Sequence, residues 1–301
     1  MLDRASTFAD PGLIAILEKR VVPVAVDVWY EARRQDLAGD LYRKVVYQRD
    51  GMRPDRTTQG FYIFDPDGRL IDGWNNRDTA KVKAKLQAAL ATYEPPASRA
   101  DDLEWKADGR FARSVPEGAV VVEVFSKVLQ ADYGEPSAGR WGAIHRAARG
   151  RDHLWILGPE IAELRQGQFP VSLARRIARF HLIDNTRGEP AMWRSSEVRE
   201  LRLDAAARKG DLEVQGRARI EATDGTRGFN AALRGRVEFR DDRLERFDLV
   251  ARGDYRGASR YTQVSVPRGP FRFAVAFRRA EGDVAIPPQG SRNLAGYLKA
   301  D

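Results

Sequence analysis

The sequence predicts an α+β protein of two domains, and three observations carry that prediction. The chain has 301 residues, enough for about two domains that each bury a core. Its first third alternates helical periodicity with short apolar runs, the pattern of an α/β domain. From Val198 onward apolar and polar residues alternate in segment after segment, the period of a β-rich antiparallel domain. Between the two patterns, Glu94-Pro95-Pro96-Ala97-Ser98 reads as a break. The domains therefore run over 1–94 and 101–301, joined by a linker at 95–100, and the second begins with an irregular, partly helical stretch.

In the first domain, Phe8 to Arg20 reads as a helix with Asp10 as N-cap and Pro11 in the first helical position. Leu13, Ile14, Ile16 and Leu17 give it a broad apolar face. The β-branched run Val21 to Val28 predicts a buried parallel strand. Asp36 to Tyr47 predicts a polar helix. Phe61 to Phe64, the turn Asp65-Pro66-Asp67-Gly68 and Arg69 to Trp74 predict a β-hairpin, with Gly where a left-handed residue is needed. Thr79 to Tyr93 predicts a closing helix, capped by Asp78 or Thr79, with Val82, Leu86, Ala89 and Leu90 on one face.

In the second domain, Ala119 to Phe125 predicts a strand. Residues 135–170 read as irregular with short helical pieces such as Arg140 to Arg149, and Val171 to Ile177 fits a helix or a strand equally well. Leu212 to Ala222, Phe229 to Phe239, Arg243 to Gly253 and Phe271 to Arg279 all alternate, with turn signals at Asp224-Gly225 and Asp241-Asp242. Phe271, Phe273, Val275 and Phe277 against Arg272, Ala274, Ala276 and Arg278 place an aromatic face inward. The whole reads as an antiparallel meander, a curved sheet or an incomplete barrel.

Composition narrows the chemistry. No cysteine is present, which excludes disulfides, zinc–thiolate sites and iron–sulfur ligation. No apolar run is long enough for a membrane span. Met1-Leu2-Asp3-Arg4 carries no secretory signal, so the chain as written reads as cytoplasmic, and as periplasmic or secreted if its start lies upstream. The formal charge of +8 comes mostly from arginines interleaved with Asp and Glu. Arg175, Arg176 and Arg179 form the densest helical cluster. That spread describes a solvated surface better than a polybasic tract, and ranks a nucleic-acid partner last.

Thr7-Phe8-Ala9-Asp10-Pro11, then Leu17, then Val21-Val22-Pro23-Val24-Ala25-Val26-Asp27, then Phe61 to Ile71, together resemble a thioredoxin-like family over residues 1–93. The resemblance implies a thioredoxin-like fold for the first domain, lacking its first strand. In that family a Cys-x-x-Cys motif precedes the segment matching Met1 to Arg4, and a cis-proline precedes the hairpin. Here Gln59, within Thr57-Thr58-Gln59-Gly60, holds the proline's position, and a trans peptide is expected there. Without cysteine the chain as written is not a thiol oxidoreductase.

The residues singled out for substrate binding are Thr58, Gln59 and Gly60, at the position of the family's docking proline, and Asp184, Asn185, Arg187 and Trp193. The latter belong to the polar run Asp184-Asn185-Thr186-Arg187-Gly188-Glu189-Pro190 and the Met192-Trp193 that follows, which fits a binding loop or a structural turn with a tryptophan lid. No metal site is expected. His153, His181 and Asp184 are the weak candidates, and His145 has no ligand spacing. Glu160 and Glu163 would share one helical face. No cofactor is expected. The leading expectation is a non-catalytic thioredoxin-fold module fused to a β-sheet domain of unknown binding role, with a protein or small molecule as partner. Two alternatives accompany it. One is a truncated thiol-disulfide or selenol oxidoreductase whose redox motif lies upstream of Met1; the other is an apolar small ligand held by the β-domain.

Overall fold

A computed structural model of the chain describes residues 7–54, 58–94, 106–111, 113–129, 147–188, 191–208, 211–258, 269–282, 284 and 286–300. The linker expected at 95–100 lies outside the described residues, as do His145, Glu189 and Pro190. Two compact units divide between Arg113 and Ser114.

In the first unit, α1 (Pro11–Arg20) begins where the sequence places it. The Asp10 carboxylate accepts the Leu13 N–H at 2.7 Å and Pro11 occupies the first turn. A short α2 (Val28–Glu31) is capped by Asp27, α3 (Leu37–Val46) by Asp36 and α4 (Thr79–Thr92) by Asp78. Strands β1 (Phe61–Phe64) and β2 (Leu70–Trp74) form the hairpin, with Phe61 opposite Trp74. Gly68 takes the left-handed conformation at φ 75° that its turn demands. Leu13, Trp74, Val82 and Leu86 are the buried centre, with Ile16, Leu17, Val21, Phe61, Ile63 and Leu90 packed on it. Full burial of a side chain such as Leu13 stabilises the unit by about 1.5–3 kcal/mol.

The strand predicted over Val21 to Val28 is not formed. Residues 21–27 have no sheet partner, Val28 opens α2, and the sheet of this unit among the described residues is β1 with β2 alone. Val22, Val24 and Val26 are 88%, 68% and 50% exposed. The cause is physical. A parallel strand is stable only between neighbours that take its backbone groups and cover both its faces. With no neighbour, β-branched residues stay in water however strongly they favour strands.

Asp36 ties this unit together. Its carboxylate caps α3 through the Gly39 N–H at 3.1 Å and takes both Nε and Nη2 of Arg34 at 2.7 Å. It also accepts the Asp108 N–H at 2.7 Å, and Asp108 in turn accepts the Gln35 N–H. Phe111 stacks edge-on against Trp29. The first unit therefore extends through residues 106–111 and Arg113, beyond its predicted end at 94.

The Arg34 bonds, helped by the two backbone N–H groups, lower the Asp36 pKa to about 2 from 3.8. A depressed carboxylate stabilises the folded state above its unfolded pKa, and that stability is lost as pH falls through the folded value. Asp36→Asn is therefore expected to cost about 2 kcal/mol at pH 7, and little at pH 2. Hydrogen exchange of the α3 amides in both proteins across that range measures it. A gap that stays constant between pH 7 and pH 2 would refute the assignment.

The second unit is a seven-stranded antiparallel sheet. Its strands are β3 (Val120–Val128), β4 (Gly150–Ile156), β5 (Val198–Arg208), β6 (Asp211–Glu221), β7 (Gly228–Arg240), β8 (Arg243–Arg256) and β9 (Phe271–Arg279), in the order β4-β3-β9-β8-β7-β6-β5. Strands β5 to β9 are the predicted meander. Gly225 and the pair Asp241-Asp242 take positive φ at two of its turns. Helices α5 (Gly158–Arg165) and α6 (Val171–Arg176), a π-helical turn over Ile177–His181 and α7 (Leu294–Lys299) supply the rest.

The inward face of the sheet packs the aromatic row Phe271, Phe273 and Phe277 with Tyr255, Phe229 and Phe247, each at most 2% exposed. Leu173, Ile177, Phe180 and Trp193 belong to the same core. Residues 135–146, with most of the helical piece expected at Arg140 to Arg149, lie outside the described residues; within 147–170 strand β4 departs from the irregular structure expected there. It pairs with β3 from Val120↔Ile156 to Ser126↔Gly150. Residues 152–156 are all buried, but Asp152 and His153 are polar and only Leu154-Trp155-Ile156 is apolar, so the sequence shows no alternation, and so short an apolar run does not tell strand from helix. The undecided segment Val171 to Ile177 is helical.

Candidate functional site

The residues singled out from sequence fall into two groups in different units. In the first, Thr58 is buried. Its hydroxyl hydrogen-bonds with the Tyr42 hydroxyl, and its carbonyl accepts the Tyr62 O–H at 2.6 Å. Gln59 and Gly60 are exposed, and the only cis peptide among the described residues is Gly269–Pro270, so the Thr58–Gln59 bond is trans. A Cβ on Gly60 would stand 2.6 Å from the Trp74 carbonyl, so glycine is needed there for close approach of two backbones.

In the second unit, Asp184, Asn185, Arg187 and Trp193 are brought together but turned inward, none more than 5% exposed. Asp184 accepts the Thr186 N–H at 3.0 Å and its hydroxyl at 2.6 Å, and pairs with Arg187 Nε. Arg187 donates from Nη2 to the Gly257 carbonyl at 2.9 Å and stacks 4.5 Å over the Phe271 ring. Asn185 accepts the Ser126 hydroxyl, and a Cβ on Gly150 would collide with it. Trp193 donates to the Leu182 carbonyl at 2.8 Å beneath the Arg227 guanidinium, 3.8 Å above the ring. Burial, with the Asp184 charge adding to it, pushes the Tyr255 hydroxyl up to about 12. These polar groups satisfy one another and hold the segment onto the sheet.

The weak metal candidates are likewise engaged. His181 Nδ1 lies 3.0 Å from Asp152 Oδ2, and its Nε2 lies 3.0 Å from the Tyr297 hydroxyl. Burial raises the Tyr297 pKa well above its ordinary value, so the hydroxyl beside Nε2 stays protonated. Asp152 Oδ1 accepts the His153 and Gln289 N–H groups at 2.7 and 2.8 Å. The chain Asp152–His181–Tyr297 fastens α7 to the sheet. Among the described residues no three His, Asp or Glu side chains gather in metal-binding geometry.

Glu160 and Glu163 do not act as a pair. Glu160 is buried, accepts the Leu157 N–H at 2.9 Å and the Ser172 hydroxyl at 2.5 Å, and pairs with the fully buried Arg176. Glu163 is half-buried.

Sequence reading missed a groove of about 710 Å³ between α6 and β5. Phe169, Val171 and Ala174 form one wall and Val198, Leu201 and Leu203 the other. Arg175 and Arg179 stand four residues apart along the helical wall, the first exposed and the second half-buried. Val171 is 64% exposed, an apolar side chain at the mouth of an apolar cleft. No Asp or Glu lines the groove among the described residues. The signal in the sequence was the arginine cluster, whose members the helix divides. Arg176 points into the core while Arg175 and Arg179 border the groove. The arrangement can hold an apolar body and offset a negative charge beside it. Compared with protein-family models, curated proteins and solved structures, the chain gives no match.

Proposed function

We propose that this is a non-catalytic binding protein, a cysteine-free thioredoxin-like module joined to a β-sheet domain that holds its ligand in the groove between α6 and β5. The groove carries the reading. It is open, apolar on both walls, bordered by Arg175 and Arg179, and free of carboxylates among the described residues. The polar run at Asp184, in contrast, spends its hydrogen bonds on its own neighbours. The aromatic side chains of the sheet are themselves buried, which supports reading the groove, and not the space between those strands, as the place for an apolar ligand. The order α1, extended segment, α3, hairpin and α4 supports the thioredoxin-like reading of the first unit.

The test uses 8-anilinonaphthalene-1-sulfonate, an apolar ring system with one anionic group. Saturable, blue-shifted fluorescence is expected with a Kd of about 10–100 μM, the affinity of a small contact. Val171→Trp, which fills the mouth from an exposed position, is expected to weaken it at least tenfold, and Arg175→Glu about fivefold. Unchanged affinity in both variants would place the dye elsewhere and remove the groove from the function.

A further inference from the structure

We infer that the natural occupant of the groove is an extended segment of another polypeptide, which adds an eighth strand to the sheet along β5. The inference rests on the groove being the binding site and names what binds there. Strand β5 ends the sheet. Its register with β6 runs from Val198↔Ile220 to Arg208↔Asp211, and among the described residues no strand lies on its other side. Eleven residues of edge strand present a row of N–H and C=O groups to whatever approaches.

Two features set this edge apart from one that is merely exposed. The groove lies along it, since Val198, Leu201, Arg202 and Leu203 of β5 all line the opening. The opposite wall is the start of α6 and the chain just before it, where Phe169, Val171 and Ala174 offer apolar surface to the side chains of an incoming strand. Backbone partners on one wall and apolar pockets on the other are what strand addition requires, and a compact small molecule would leave the backbone row unused. The six residues Val198 to Leu203 span about 20 Å, room for a peptide of about six residues.

Charge selects the partner. Arg199, Glu200, Arg202, Asp204 and Arg208 are exposed along β5, a device that hinders pairing with an indiscriminate edge. Inside the groove the only charged groups among the described residues are arginines. The segment that fits therefore carries β-branched or other apolar residues at alternate positions and a carboxylate that reaches Arg175.

The test adds two blocked heptapeptides to the full-length protein. Both alternate valine and threonine, one with glutamate at its centre and the other with lysine. The glutamate peptide is expected to displace the fluorescent dye and to slow hydrogen exchange at amides of 198–208 at least tenfold at saturation. The lysine peptide should bind at least fivefold more weakly, and Arg175→Glu should reverse that order. If the dye binds in a Val171→Trp-sensitive way but neither peptide slows exchange in β5, the groove takes small molecules and this inference falls alone. If protection appears instead at residues 21–27, the strand is added to the first unit and the inference is overturned. Failure of dye and peptides together would remove both readings.

Discussion

Asp184→Ala is expected to destabilise the β-sheet unit by about 3–5 kcal/mol while leaving dye affinity of the folded fraction unchanged. Asp184 and Arg187 are both buried, and the substitution removes the carboxylate that pairs with the guanidinium, which the Gly257 carbonyl and the Phe271 face do not neutralise. An uncompensated charge in that setting costs several kcal/mol, and the two Thr186 donors lose their acceptor as well. Denaturant unfolding gives the number as a shift in midpoint at constant slope. Asp184→Ala combined with Arg187→Met removes both charges and keeps apolar volume, so it should recover most of the loss. The opposite pattern, stability kept and dye binding lost, would show that the polar run is a ligand site.

The sequence made the local devices legible because each is written in consecutive residues. Asp10 before Pro11, Asp78 before its helix and Gly68 in the hairpin turn are local chemistry, and each holds its predicted place, while Asp36, read as the first residue of its helix, is its cap. The meander was legible because one face of each strand meets the core and the other meets water. What was not legible depends on partners far away in the chain. Val21 to Val28 has the composition of a buried strand, but composition does not supply the neighbours. Strand β4 hides its period because both its faces are covered. The groove joins a helix near residue 175 to a strand near residue 201, so neither segment announces it alone. The same distance effect turned the candidate residues Asp184, Asn185 and Arg187 from a polar surface run into buried supports.

Arg176→Ala is expected to have an effect of the same size, about 3–5 kcal/mol, and unlike Asp184→Ala it should also loosen the groove. The Arg176 side chain is fully buried and pairs with Glu160 on α5. It donates to the Trp155 carbonyl at the end of β4 at 3.2 Å and to the Leu298 carbonyl of α7 at 3.1 Å, with the Tyr297 ring 5.5 Å away. One guanidinium thus joins four elements, and alanine leaves a buried carboxylate, two carbonyls and a void. Arg176 is also the residue after Arg175, so whatever fixes Arg176 fixes the rotation of α6 that turns Arg175 and Val171 to the groove. Folded Arg176→Ala protein should therefore bind the dye several-fold more weakly, although Arg176 does not line the groove. Replacing the pair together, Glu160→Leu with Arg176→Met, separates charge from packing. Apolar packing of similar volume is expected to return stability to within about 1 kcal/mol of the parent or above it, because both desolvated charges are gone. Dye affinity should return with it only if the α6 wall is set by packing. If stability returns and affinity does not, the Arg176 hydrogen bonds, and not the filled volume, aim the groove.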